Sequence, residues 1–152
     1  MIGGLVALKV DPNIMAKLAG QRMSMIVTGT NGKSTTTRMA ANALRTAYTV
    51  ATNDGGDNMD AGIVSALNQD LDADAICLEV DEMHVPHVMD ALSPTVLVLL
   101  NLSRDQLDRV GEINTIERRL REAVAAHPDT IVVANCDDMM VTSAAYDAKN
   151  VI

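Results

Sequence analysis

The chain has 152 residues, a formal net charge of −8 and a pI near 4.6, which is length enough for one domain with a buried core. Phe and Trp are absent and the only aromatics are Tyr48 and Tyr146, so the core must be Val, Ile, Leu, Met and Ala, and base stacking on aromatic side chains is largely excluded. The acidic balance argues against a nucleic-acid surface, which needs clustered Lys and Arg; no apolar run reaches the ~18 residues of a membrane span, and the N-terminus lacks signal-peptide order, so a cytoplasmic protein is expected.

In chain order, Leu5 to Val10 reads as a short strand, and Asp11-Pro12 opens a helix reaching Gly20 with Asp as cap and Pro in the first turn. Met25 to Thr28 has strand composition and Ser34 to Ala47 helical composition, with a Gly-rich turn between them. Tyr48 to Thr52 is strand-like, Asn53 to Asn58 is a loop rich in Gly, Asp and Asn, and Met59 to Asn68 is helical. Asp74 to Val80 and Thr95 to Leu100 are nearly continuous apolar runs, as strands buried on both faces are. Between them, Glu82 to Leu92 is a helix that must bend or start late around Pro86. Ile113 to Ala126 is amphipathic, Thr130 to Ala134 reads as another buried strand, Asp137 to Ala145 as a helix, and Asn150 to Ile152 as the start of a strand. The alternation predicts one α/β domain over residues 1–152: a P-loop NTPase-like, mostly parallel sheet with helices on both faces.

The turn is the most specific segment. Gly29-Thr30-Asn31-Gly32-Lys33-Ser34-Thr35 joins a strand to a helix, the context a phosphate loop requires. Gly29 and Gly32 let backbone N–H groups face one anion, Lys33 adds a mobile positive charge, and the helix N-terminus adds its unpaired amides and dipole. Ser34 is placed to give a hydroxyl oxygen to Mg²⁺. The longer G-x-x-x-x-G-K-S/T spacing would need Gly where Val27 stands, so this is a shorter form of the loop. Gly29 to Thr35 are therefore nucleotide-binding candidates, with Lys33 the catalytic candidate; a plain Gly-rich turn would leave Lys33-Ser34 unexplained.

In an open parallel sheet the ligand lies beyond the carboxyl ends of the strands. Four strands end there in polar residues, namely Thr28 with its loop, Glu79, Asn101 and Asn135, and these are expected to converge. Glu79 interrupts an apolar run, where a carboxylate is costly unless it meets a cation. Mg²⁺ shared with Ser34 supplies one, with Asp81 and Glu82 as competitors for the role. Asn53, Asp54 and Asn58 follow a strand end near the loop and are candidates to border the substrate.

The remaining features have plainer readings. Cys77 and Cys136 lack a CxxC spacing and read as two reduced core thiols. His84 and His87 lie beside Pro86 without further metal ligands nearby and read as surface or packing residues. The ten Met residues read as gap-fillers, and the Asp-rich stretches around 54–60 and 70–74 as solvated loops.

Taken together, the phosphate loop, the strand-end Glu79, the block Asn101-Leu102-Ser103-Arg104-Asp105-Gln106-Leu107-Asp108 and Asn135-Cys136-Asp137-Asp138 resemble the signature blocks of the Mur ligase central domain. The resemblance implies ATP as the nucleotide, Lys33 on its phosphates, Mg²⁺ on Ser34 and Glu79, and Asn135 reading the adenine. Two features depart from the family. Gln106 stands where a His helps bind a second metal, with Asp105 beside it on the substrate side, and the usual carbamylated Lys is replaced by a region offering Arg118, Arg119 and Arg121. The string from Asn101 to Arg109, the Asn53 to Met59 loop and the Gly4 to Pro12 opening are similar to the MurT branch, the Mur-ligase-like subunits of lipid II isoglutaminyl synthase.

That branch implies activation of the α-carboxyl of D-glutamate in lipid II as an acyl phosphate, and amidation to D-isoglutamine with ammonia from a GatD-type glutaminase partner. It also implies a location at the inner membrane face. The family continues into a Cys₄ zinc ribbon and a C-terminal domain, so Zn²⁺ is expected only in a full-length protein, and turnover by this chain alone is not expected. An ordinary Mur or folylpolyglutamate-type amino-acid ligase, and a nucleotide-free interaction fragment, remain the alternatives.

Overall fold

The computed structural model describes residues 2–53, 55–103 and 110–152. The elements follow in the order α1 (Ile2–Val10), α2 (Ile14–Ala19), β1 (Met23–Thr28), α3 (Lys33–Leu44), β2 (Val50–Thr52), α4 (Asp60–Gln69), β3 (Ala75–Glu79), α5 (Val85–Leu92), β4 (Val96–Leu99), α6 (Val110–Ala126), β5 (Ile131–Ala134), α7 (Met139–Ala144) and β6 (Asn150–Val151). All pairings are parallel and the sheet order is β2-β3-β1-β4-β5-β6. The α/β expectation holds.

Residues alternate along each strand, and the two sheet faces are unequal. Ile26, Ala51, Ile76, Leu78, Leu97, Leu99 and Val132 join the main core with α2, α4, α5, α6 and α7. The opposite face carries a smaller cluster in which Met25, Val50 and Cys77 meet Ala40, Ala41 and Leu44 of α3. Crossover handedness explains the imbalance. The step from β1 to β2 runs one way along the sheet and every later step runs the other, so right-handed connections put α3 on one face and α4 to α7 on its opposite. On the α3 face, Val96 and Val98 of β4 are only half-buried, and β5 opens with an exposed Ile131; the reading of these two runs as fully buried is corrected accordingly.

The segment read as a strand from Leu5 to Val10 lies within α1. A short apolar run fits either state, and packing decides. Gly4 is pressed so closely on α4 that a Cβ there would stand 2.1 Å from the Ala61 carbonyl oxygen, an approach made by a helix with a bare face. Asp11 binds the Asn13 amide at 3.0 Å and Lys17 at 2.6 Å, so the following helix starts only at Ile14. Arg22 then ties α2 to the end of α4, donating to the carbonyls of Leu18, Ala19, Asp70 and Ala73. As the Pro86 position required, α5 starts late, at Val85.

The core is aliphatic, with Met15 and Met89 filling it, but Met39, Met59 and Met139 are exposed and correct the gap-filling expectation for them. Cys136 is exposed as well, so Cys77 alone of the two thiols lies in the core.

Candidate functional site

The carboxyl edge of the sheet gathers the predicted strand-end residues. After Thr28 the chain turns at Gly29 and Gly32, whose φ angles of 141° and 85° suit glycine. At Gly29 a Cβ would stand 2.9 Å from the Asn101 nitrogen, so the loop lies directly on the end of β4. The Thr30 N–H donates to the Asn101 carbonyl at 2.9 Å. The Asn31 N–H donates to Asn101 Oδ1 and Asn101 Nδ2 donates back to the Asn31 carbonyl, both at 2.9 Å. The Ser103 N–H reaches Thr30 Oγ1 at 3.0 Å, and Asn31 Nδ2 reaches Ser103 Oγ at 3.2 Å. Thr30 and Asn31, expected on the nucleotide, thus turn their side chains to Ser103 and their backbones to Asn101, holding the loop in shape. This splint was not anticipated; its only signal was a polar Asn-Leu-Ser directly after an apolar strand.

Gly32, in a left-handed conformation, stands at the N-cap of α3, and no side chain caps the helix. The first-turn amides are therefore open to an anion, with exposed Ser34 and Thr35 beside them and no acidic residue in that turn. At the start of α7, by contrast, Asp138 Oδ1 accepts from Met140 and Val141, while Oδ2 takes the Leu102 N–H at 2.9 Å and so anchors the segment after β4. Lys33 Nζ lies 2.5 Å from the Gly29 carbonyl oxygen, 3.3 Å from that of Thr30 and 3.4 Å from Glu82 Oε2. Its cation is thus folded back onto the loop and Glu82.

Glu79 pairs in register with Val27 at the end of β1 and is 3% exposed. Asn53 clamps its backbone, accepting the Glu79 N–H at 2.8 Å and donating to the Glu79 carbonyl at 2.7 Å. Asn58 Nδ2 donates to Glu79 Oε1 at 3.2 Å, whereas Glu79 Oε2 is buried without a hydrogen-bond partner among the described residues. A buried carboxylate oxygen with no donor suits a hard cation, so this edge fits Mg²⁺, with Glu79 and the Ser34 hydroxyl as the residues that would hold it. Of the competitors, Asp81 caps the Met83 amide and Glu82 faces Lys33. Asn53 and Asn58, proposed to border the substrate, position Glu79. Asp54, Asp105 and Gln106 lie outside the described residues.

Asn135 reaches the same edge. Its N–H donates to the Leu99 carbonyl at 3.1 Å, its Nδ2 to the Leu100 carbonyl at 3.0 Å, and its Oδ1 accepts the Asp137 N–H at 3.1 Å. His84 Nδ1 lies 3.0 Å from Asp60 Oδ1, and His87 Nε2 lies 3.7 Å from its other oxygen. Among the described residues no group of three His, Cys, Asp or Glu is arranged to hold a metal, and no helix is long and apolar enough to cross a membrane. Under α3, burial pushes the Cys77 thiol up to about 11, against a smaller opposing pull from Arg45.

The Mur ligase middle domain matches residues 27–152. The chain is 36% identical over 139 residues to the lipid II isoglutaminyl synthase (glutamine-hydrolyzing) subunit MurT of Streptococcus pneumoniae, covering 88% of this chain and 31% of that protein. Against the subunit of the same name from Staphylococcus aureus strain COL it is 35% identical over 153 residues, covering 98% and 35%. The chain thus spans about a third of the length of these relatives. Among solved structures, MurF ligase from Thermotoga maritima in complex with ADP superposes with a TM-score of 0.73 at 22% identity, covering 94% of this chain and 36% of that one, which supports the fold.

Proposed function

Since the chain belongs to the Mur ligase middle domain family, we propose that it is the ATP-binding part of an amide-forming ligase subunit of the MurT type, acting in peptidoglycan synthesis. The observation that carries the reading is the open first turn of α3, with Lys33 at its mouth, beside the unpartnered oxygen of Glu79. A triphosphate supplies what each of these lacks: anionic oxygens for the free amides and, with its metal, a cation for the carboxylate. Mg²⁺, when bound, neutralises phosphate charge on the side of Ser34 and Glu79.

In the whole protein the acceptor is the α-carboxylate of D-glutamate in lipid II, presented at the inner membrane face. Its oxygen attacks the γ-phosphorus and ADP leaves, giving an acyl phosphate. Ammonia from a GatD-type glutaminase partner adds to the carbonyl carbon, phosphate departs and a proton is lost, leaving D-isoglutamine. Such phosphoryl transfer asks the protein chiefly to place the carboxylate in line and to neutralise charge. Lys33 and the α3 amides carry the neutralisation, and the Asn101 splint keeps the loop in shape before the nucleotide arrives. Asn135, at the adjoining strand end, is the proposed adenine contact, and Asp54, Asp105 and Gln106 remain proposed on the substrate side. Zn²⁺ belongs to the reading only for a full-length protein with a zinc ribbon, and the cytoplasm is the proposed location.

Two measurements test this. Calorimetry is expected to show Mg²⁺-dependent ATP binding that Lys33→Ala weakens; equal binding by both removes the phosphate-grip assignment. For the whole protein, lipid II is incubated with the glutaminase partner, ATP and amide-labelled glutamine, and read by mass spectrometry. Conversion of one carboxyl to a labelled amide supports the reading, whereas addition of an entire amino-acid residue overturns it in favour of an ordinary amino-acid ligase.

A further inference from the structure

The phosphate-loop lysine is already occupied. Its three ammonium donors have three acceptors, the carbonyls of Gly29 and Thr30 and the carboxylate of Glu82, without any nucleotide. The Lys33 and Glu82 side chains are only 13% and 11% exposed, so this is a largely desolvated ion pair. Removing one partner of such a pair strands a poorly solvated charge. Glu82 sits in the turn between β3 and α5, which the His84 N–H closes onto the Asp81 carbonyl at 2.9 Å, so its backbone is held. It is also distinct from Glu79, whose carboxylate is held by Asn58 and makes no contact with Lys33.

This pairing has a consequence for an incoming polyphosphate. Lys33 must leave Glu82 or be shared with it, and a nucleotide arriving without a metal meets the Glu82 charge at close quarters. A divalent cation on the phosphates removes most of that repulsion. On the reading of this edge as a nucleotide site, we propose that Glu82 is a positioning counter-ion that holds Lys33 folded onto the loop and makes nucleotide binding contingent on a divalent cation.

The test compares ATP binding by calorimetry in excess chelator and in excess Mg²⁺, for the wild type and Glu82→Gln, which keeps the shape and loses the charge. In chelator, Glu82→Gln is expected to bind ATP about tenfold more tightly than the wild type, while Mg·ATP affinity changes much less. An unchanged ratio of the two affinities, or weaker binding in chelator, overturns the proposal. A second arm needs no nucleotide: melting temperatures of Lys33→Met, Glu82→Gln and the double variant. Glu82→Gln is expected to stabilise the Lys33→Met background while costing stability in the wild type, and strict additivity overturns the pairing. Should Glu82→Gln not fold, Glu82→Ala takes its place in both arms. A wild type that binds no ATP in either buffer refutes the nucleotide reading and the contingency with it, an outcome distinct from an unchanged affinity ratio.

Discussion

Replacing Gly29 by Ala tests how the phosphate loop is built. Its φ of 141° is one that side chains rarely adopt, and an added Cβ would lie 2.9 Å from both the Asn101 nitrogen and Leu100 Cβ, and 3.0 Å from the Asn101 carbonyl oxygen. Two of those atoms are backbone, so no rotamer change makes room. Backbone strain costs about 1–3 kcal/mol, and forced displacement of packed neighbours costs about 1–3 kcal/mol more. A total near 3 kcal/mol, in a domain of this size, lowers the melting temperature by about 6–12 °C. The displacement also pulls the loop from Asn101, lengthening the Thr30 bond to its carbonyl, now 2.9 Å, so ATP affinity falls along with stability. Circular-dichroism melting of Gly29→Ala beside Gly56→Ala isolates the contact, because Gly56 also has a positive φ, 85°, but has nothing within 4 Å of its Cβ position. Equal losses in the two variants would refute the argument that the loop is seated on the end of β4.

Three other outcomes are expected. Glu79→Gln leaves the fold intact and reduces the factor by which Mg²⁺ improves ATP binding, measured by calorimetry; retention of the wild-type factor places the metal ligand elsewhere. Asp138→Ala removes the α7 cap and the bond to the Leu102 N–H, costing about 2 kcal/mol and about 4–8 °C in thermal melting, while Asp138→Asn, whose Nδ2 cannot accept, keeps the cap and loses the Leu102 bond, for an intermediate melting temperature. Of the two thiols, the exposed Cys136 reacts with a disulfide reagent at neutral pH and Cys77 does so only on unfolding. Because folding raises the Cys77 pKa from 9.0 to about 11, its contribution to stability is complete below about 9 and is lost as pH rises towards about 11, a loss that Cys77→Ala removes from the pH profile.

The Gly-rich loop between strand and helix, the parallel α/β alternation and the edge of the sheet where the candidate residues converge were all legible in the sequence, because each rests on local chemistry. A Gly-rich turn with Lys33-Ser34 between strand and helix is the pattern of a phosphate loop, and Glu79 at the end of an apolar run is a candidate cation ligand from its position alone. Family resemblance added roles that the residues alone did not define. What tertiary structure decided was the identity of each group's partner. Nothing local distinguishes helix from strand for Leu5 to Val10; the bare face at Gly4 packed on α4 does. Asn53 and Asn58 look like loop polar residues until β2 and β3 are set side by side, when they become the clamp on Glu79. Likewise, Glu82 was one of three acidic residues in a short stretch, and only the juxtaposition of β1 and β3 brings it to Lys33, 49 residues away in sequence. Periodicity and turn chemistry act over a few residues, whereas the pairing of buried polar groups depends on which strands are neighbours, and that follows from the order and handedness of the crossovers.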